Sequence, residues 1–505
     1  MKKNFFRVVA MSALLALGVS GAQAQRSYDC PPLNPEWQTM ADQVVNLNLE
    51  DPDKANKVFM QLSKKIRKNK EDLVAVGTYF LDKDNYPAAS QCAKAVYDLD
   101  PTYIPGLMFS GEVFMKAQRW GDAGQKFDEV LTIDPNNVAA LKRNAFVYKN
   151  VNPHVAIDAL NKIKEIDPSY KEADKELGDI YYKLDKYKDA VLNYENYYKQ
   201  APKDDKLDIR SCENFLQSLY SQADFNRIIE VTTELLPIAP KDMVIRRMDF
   251  FAKVNKIGES IDLDGAIKTA EEASAYLNDP EYHDSIYISL DYEYAAALAK
   301  EKDDIPAAVA AYEKALEKDA DKLNNYKELA KLYSRNKEAD KAIATYQKYL
   351  EKKGDKVDVS DYFGLGLEYL KATRMTEDPA KKAEYIAAGD AAFNKVLEKE
   401  PGYYKAVMQQ AALHITDASK PEEEPKALYE KALGMMPAEG DGKSTPEDVA
   451  DANPFRLLAA QYLAFYYAQK EDFAGCRTYV DVMLKADPEN AQAKNFDNLL
   501  KEMGK

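Results

Sequence analysis

The chain has 505 residues, with 69 Lys and Arg against 84 Asp and Glu, a formal net charge of −15 and 46% hydrophobic residues. So acidic a balance repels nucleic acid and anionic membrane surfaces, while that apolar content suffices for a large core and excludes global disorder. Length alone suggests about three domains, a prior that internal repeats overrule.

The first 24 residues, "MKKNFFRVVAMSALLALGVSGAQA", combine basic Lys2, Lys3 and Arg7, an apolar run from Val8 to Val19 and the small-residue site Ala22-Gln23-Ala24. This pattern is that of a secretory signal peptide, and the run falls short of the roughly 20 apolar residues that span a bilayer. The expectation is a periplasmic protein cleaved after Ala24, with Gln25 as the new N-terminus. Cleavage leaves 66 basic against 84 acidic residues, a net of −18. Residues 25–33 form an N-terminal extension. Acylation at Cys30 is disfavoured, because Cys30 lies beyond the cleavage site behind Ser27-Tyr28-Asp29. In an exported chain Cys30 and Cys92 make a plausible disulfide, whereas Cys212 and Cys476 read as small core residues. Metal-ligand spacings such as CxxC do not occur, so no metal or other cofactor is expected.

Beyond the extension the punctuation is regular. "LDP", "IDP", "IDP" and "QAP" end at Pro101, Pro135, Pro168 and Pro202, at spacings of 34, 33 and 34 residues. Each period holds two apolar stripes at helical spacing separated by a short polar turn, which predicts two antiparallel helices. Two units, residues 104–137 and 171–204, agree position by position: Gly111 with Gly178, Phe114 with Tyr181, Trp120 with Tyr187, Ala123 with Ala190, Phe127 with Tyr194 and Pro135 with Pro202. A small residue on each helix permits close backbone approach, and an aromatic fills the space beside the crossing. Proline stops the second helix, and Asp122 and Asp189 are placed to cap it.

The pattern resembles the tetratricopeptide repeat (TPR) family, and with the leader it resembles exported TPR proteins of Bacteroidetes-type bacteria. The same register extends from Gly77 to Pro488. The resemblance implies an all-α, right-handed superhelical solenoid of about twelve antiparallel helix pairs. The expected division is an N-terminal array over residues 34–240, a C-terminal array with longer insertions over 241–488 and a polar-faced capping helix over 489–505. Departures fall at residues 207–240, about four residues too long, and at 371–389, about eleven longer than the pattern's turn. Residues 243–280 match least well.

Motifs of chemistry are sparse. "AEGDGKSTPED" at residues 438–448 carries Gly442-Lys443-Ser444 but has Pro437 where a phosphate-binding loop needs glycine. It reads as a flexible polar insertion ahead of a helix starting near Pro454. "SIDLDGAIKTAE" at residues 260–271 places Asp262, Asp264, Gly265 and Glu271 as in a calcium loop, but Ser260 replaces the first aspartate and Lys268 intrudes. The bland alternative is that Asp262 or Asp264 caps a helix. His154, His283 and His414 lie in three different repeats, so no catalytic constellation is expected.

By resemblance to the family, positions 2, 5, 9, 12 and 13 of each first helix face a partner-binding groove. Carried over, these are Glu112 and Lys116, then Lys142, Phe146 and Lys149, then Lys175, Asp179 and Tyr182, then Glu213, Gln217 and Tyr220, with Lys327 and Lys331 further on. Tyr182 and Tyr220 are expected to be exposed anchors, most other tyrosines to be core. The family's lysine and asparagine set for a C-terminal carboxylate is not reproduced: Val74, Thr78, Phe109 and Glu112 occupy its places. The expected function is a non-catalytic scaffold that binds a peptide or envelope protein through this groove. The alternative is a glycan or cell-wall fragment held by the groove aromatics.

Overall fold

The computed structural model describes residues 29–204, 206–415, 419–440 and 442–504; the expected leader and its cleavage site lie outside them. The described residues fall into two compact units, one ending at Ile245 and one beginning at Arg246. In the first, α1 (Pro35–Glu50) packs on α2 (Pro52–Ile66), α3 (Lys70–Asp82) on α4 (Tyr86–Leu99) and α5 (Ile104–Lys116) on α6 (Trp120–Ile133). In the same way α7 (Val138–Tyr148) packs on α8 (Pro153–Ile166), α9 (Lys171–Lys183) on α10 (Tyr187–Gln200) and α11 (Ile209–Ser221) on α12 (Phe225–Leu235).

The division falls in the first turn of α13 (Met243–Lys256), which is followed by α14 (Leu263–Ser274). The second unit continues with the pairs α15 (Ser289–Glu301) and α16 (Ile305–Lys318), α17 (Leu323–Arg335) and α18 (Ala339–Lys353), and α19 (Val359–Met375) and α20 (Pro379–Lys399). It ends with α21 (Tyr404–Leu413) and α22 (Glu423–Met435), α23 (Pro446–Gln469) and α24 (Phe473–Ala486), and the cap α25 (Ala491–Glu502), which packs on α24 through Ala493 and Leu500. The chain is thus an all-α array of TPR-type helix pairs, as the period predicts.

The interior follows the repeat chemistry. Gly178 lies against the Tyr194 ring, with the aromatic from the second helix filling the space a side chain would take; Gly111 with Phe127 and Gly366 with Phe393 repeat the arrangement. Ala123 and Ala190 are fully buried at the crossings. Second helices end at Leu99, Ile133, Ile166 and Gln200. The residue before each proline, Asp100, Asp134, Asp167 or Ala201, leaves helical geometry at ψ 94, 89, 90 or 142°. That is the restriction proline imposes on its predecessor.

The turn inside a pair has its own geometry. Asp84, Gln118, Asp185, Ala223, Asp303, Lys337 and Glu471 all adopt φ between 55 and 59°. The next residue's N–H reaches back to the last turn of the first helix, as from Asn85 to the Phe80 carbonyl at 2.8 Å and from Lys186 to the Tyr181 carbonyl at 2.9 Å. This is a Schellman closure built without glycine.

Several expectations are corrected. Asp122 and Asp189 do not cap: they sit inside the first turns of α6 and α10, whose N-cap residues Arg119 and Lys186 make no side-chain capping bond. Asp122 pairs with Arg119 at 2.7 Å, and both aspartates favour the helix dipole from there. The extra residues at 371–389 are not a loop, because they lengthen α19 and α20, with Asp378 capping the latter. The helix expected near Pro454 starts at Pro446, since Thr445 and Asp448 form a reciprocal capping box; Pro454 lies within α23. Cys30 and Cys92 are free thiols in one hydrophobic cluster, so the expected disulfide is not formed. Cys212 and Cys476 are buried, as expected.

The weak match at residues 243–280 also has a physical reason. Here a polar centre replaces part of the apolar packing. Buried Arg247 donates to both carboxylate oxygens of Asp291, at 2.6 and 2.9 Å, and to the Ile286 carbonyl. The buried Tyr276 hydroxyl donates to Asp291 at 2.8 Å.

Candidate partner-binding site

In the first unit α3 touches α1 and α5, and α9 touches α11; in the second, α19 touches α17 and α21, and α21 touches α23. Consecutive second helices do not come as close among the described residues. First helices therefore line the inner side of each unit, where a partner would lie.

Most of the predicted groove residues join one repeat to the next. Glu112 pairs with Arg143 and Lys116 with Asp84, each at 2.5 Å. Lys142 stands 3.8 Å over the Tyr170 ring, and Lys175 pairs with Asp208 at 3.0 Å. Asp179 accepts from the Tyr194 hydroxyl at 2.6 Å and from the Asn214 amide at 3.4 Å. In the second unit Lys327 reaches Asp361 at 3.1 Å, and Lys331 reaches Glu328 at 2.8 Å along its own helix.

The two tyrosine anchors are corrected. Tyr182 is half-buried and donates its hydroxyl to Gln217 at 2.6 Å; Tyr220 is half-buried, edge-on to Phe225 at 6.1 Å. Glu213 lies beside Asp242. Burial raises it first, then the Asp242 charge and hydrogen bond, against Arg210, so that Glu213 titrates at about 8.

Phe146 and Lys149 remain open. Phe146 is 40% exposed and lies 6.1 Å from the ring of Trp120, itself 42% exposed. Trp120, at the repeat position of Tyr187, is at the surface. The Lys149 ammonium stands 4.5 Å over Phe146 and also borders a cavity of about 270 Å³ between the end of α7, α9 and α11. Glu176, Asp179, Lys183, Asp208, Arg210 and Asn214 complete its polar lining.

Of the predicted residues only Lys149 and Asp179 line this cavity. Lys183 and Arg210 occupy groove positions 13 and 2 of their repeats, so the register contained the signal that would have found them. Glu176 and Trp120 lie off those positions and carried none. Burial raises the Glu176 carboxyl, with Lys149 and Lys175 acting against that shift. Desolvation and the nearby Lys149 lower the Lys183 ammonium.

A second cleft, of about 470 Å³, lies between the start of α18 and the junction of α19 with α20. Most of its charges are met internally, Lys341 by Glu338, and Asp340 by Lys381 and the Tyr385 hydroxyl. At the calcium-like loop Asp262 caps α14 by accepting the Gly265 N–H at 2.9 Å, and Glu271 pairs with Lys302. His414 lies between Asp390 at 2.7 Å and Glu424 at 3.3 Å. Among the described residues no group of three His, Cys, Asp or Glu could hold a metal ion, and no helix is long and apolar enough to cross a membrane.

No family model matches the chain. Sperm-associated antigen 1 of Mus musculus is 37% identical over 67 residues, 13% of this chain and 7% of that protein. Hsp70-Hsp90 organizing protein 3 of Arabidopsis thaliana is 30% identical over 117 residues, 22% of this chain and 21% of that protein. The chain thus spans about a fifth or less of the length of these curated relatives. Among solved structures, the C-terminal part of a TPR repeat-containing protein from Cytophaga hutchinsonii is 19% identical with a TM-score of 0.42, over 56% of this chain and 98% of that one.

Proposed function

We propose that the protein is a non-catalytic scaffold of the bacterial periplasm that holds an extended segment of an envelope protein along the first helices of its first unit. One observation carries the reading. In an array whose inner-face charges mostly meet one another, the cavity between α7, α9 and α11 keeps open polar groups beside two exposed aromatics. Inner faces of stacked helix pairs suit extended peptides. The expected leader supports the compartment. The glycan alternative loses Tyr182 and Tyr220 as free anchors, since they engage Gln217 and Phe225.

The test is a photo-crosslinker at position 146 in intact cells. A reproducible adduct with an envelope protein is expected, absent when the crosslinker stands at exposed Lys188 on α10. Failure to recover any reproducible protein adduct would overturn the proposal.

A further inference from the structure

We infer that the occupant of this site is an acidic extended segment, which seats an apolar side chain on the Trp120–Phe146 pair and lays carboxylates along Lys149, Lys183 and Arg210. This rests on the scaffold reading and adds the chemistry of the partner.

The charge argument comes from what the cations lack. The chain carries 84 acidic residues against 69 basic ones; on the inner face Lys116 finds Asp84 and Lys175 finds Asp208, while Lys142 lies over the Tyr170 ring. Among the described residues Lys149, Lys183 and Arg210 have no carboxylate partner; Lys183 reaches only the Asn150 side-chain oxygen, at 3.4 Å. Three such cations around one cavity favour a ligand of negative charge. The Asp208 charge is offset by Lys175, so the three cations face the carboxylates of Asp179 and Glu176, an excess of one positive charge. Glu176 is the open carboxylate of the cavity and is placed to accept a backbone N–H of the ligand.

The apolar argument comes from continuity. A tryptophan and a phenylalanine in tilted contact, each about two-fifths exposed, form the kind of anchor that dominates peptide interfaces. The Lys149 ammonium joins the pair to the cavity, because it lies over Phe146 and in the cavity wall at once. An extended segment therefore meets apolar surface and positive charge within a few residues of its length.

The test uses the full chain carrying Trp37→Phe, which leaves Trp120 as the sole tryptophan, since the sequence has two. The probe is a dodecapeptide of glutamates with one central leucine, acetylated and amidated so that no terminal carboxylate contributes. Saturable blue-shifted Trp120 emission is expected, weakened roughly tenfold or more by Phe146→Ala or by Lys149→Glu with Arg210→Glu, and weakened by salt. Lys188→Glu is expected to leave it unchanged. Circular dichroism and melting of each variant separate lost binding from lost folding. The inference is overturned if the glutamate–leucine peptide gives no saturable shift, if a lysine–leucine or glutamate–serine peptide binds as well, or if the charge reversals change nothing. A crosslinked partner in cells whose contacting segment is not acidic would overturn the inference and keep the scaffold; no partner at all would overturn the scaffold.

Discussion

At Gly178 an added methyl group would stand 2.6 Å from the Tyr194 ring, which is 1% exposed and fixed by its hydroxyl bond to Asp179. Helix propensity favours alanine there by about 1 kcal/mol, but overpacking a fixed aromatic costs about 1–3 kcal/mol. Gly178→Ala is therefore expected to lose up to about 2 kcal/mol, read from urea unfolding; a gain in stability would refute this packing. Glu213 gives a pH test. It faces Asp242, Arg210 and Asp208, and its folded value of about 8 lies above the ordinary 4.5. The folded state holds the proton more tightly, so this contribution is full below 4.5 and is lost as pH rises through about 8. Melting temperature is expected to fall between pH 6.5 and pH 9, and to fall less in Glu213→Gln. Equal losses in both proteins would remove Glu213 as the cause.

Single elements carry their own tests. Ala223 holds φ at 57° in the turn between α11 and α12, where its Cβ is strained. Ala223→Gly removes that strain, partly offset by the entropy of glycine in the unfolded chain. A gain of about 0.5 kcal/mol is expected in thermal unfolding. At α23, Thr445→Ala breaks the capping box and is expected to cost about 1 kcal/mol. Hydrogen exchange should then quicken at the N–H groups of residues 447–449; unchanged exchange there would mean that the cap is idle. These two elements also show what the sequence hides. The αL turns are spelled with Asp, Gln, Ala, Lys and Glu, so residue type gives no sign of positive φ. By contrast the "STPED" signature of a helix start was present, and Pro454 drew attention away from it.

For the whole molecule, a stacked array transmits strain mainly to neighbouring pairs. Gly178→Ala is expected to raise hydrogen exchange in α9, α10 and the pairs beside them, while α19 to α24 keep wild-type protection. Uniform loss of protection would contradict nearest-neighbour stability.

The amino-acid sequence by itself determined the all-α class, the helix pairs, the ends of most second helices and the C-terminal cap. Spacing, small residues and prolines act locally, through backbone approach and lost N–H groups. Only the tertiary structure decided which inner-face charges are free. Register puts Lys116, Lys149, Lys175 and Lys183 on the same kind of position. Whether each meets a carboxylate depends on a residue of an adjacent repeat, as Lys175 meets Asp208 and Lys116 meets Asp84. It is likewise tertiary packing that leaves Trp120 partly exposed, against a Phe146 that is itself at the surface.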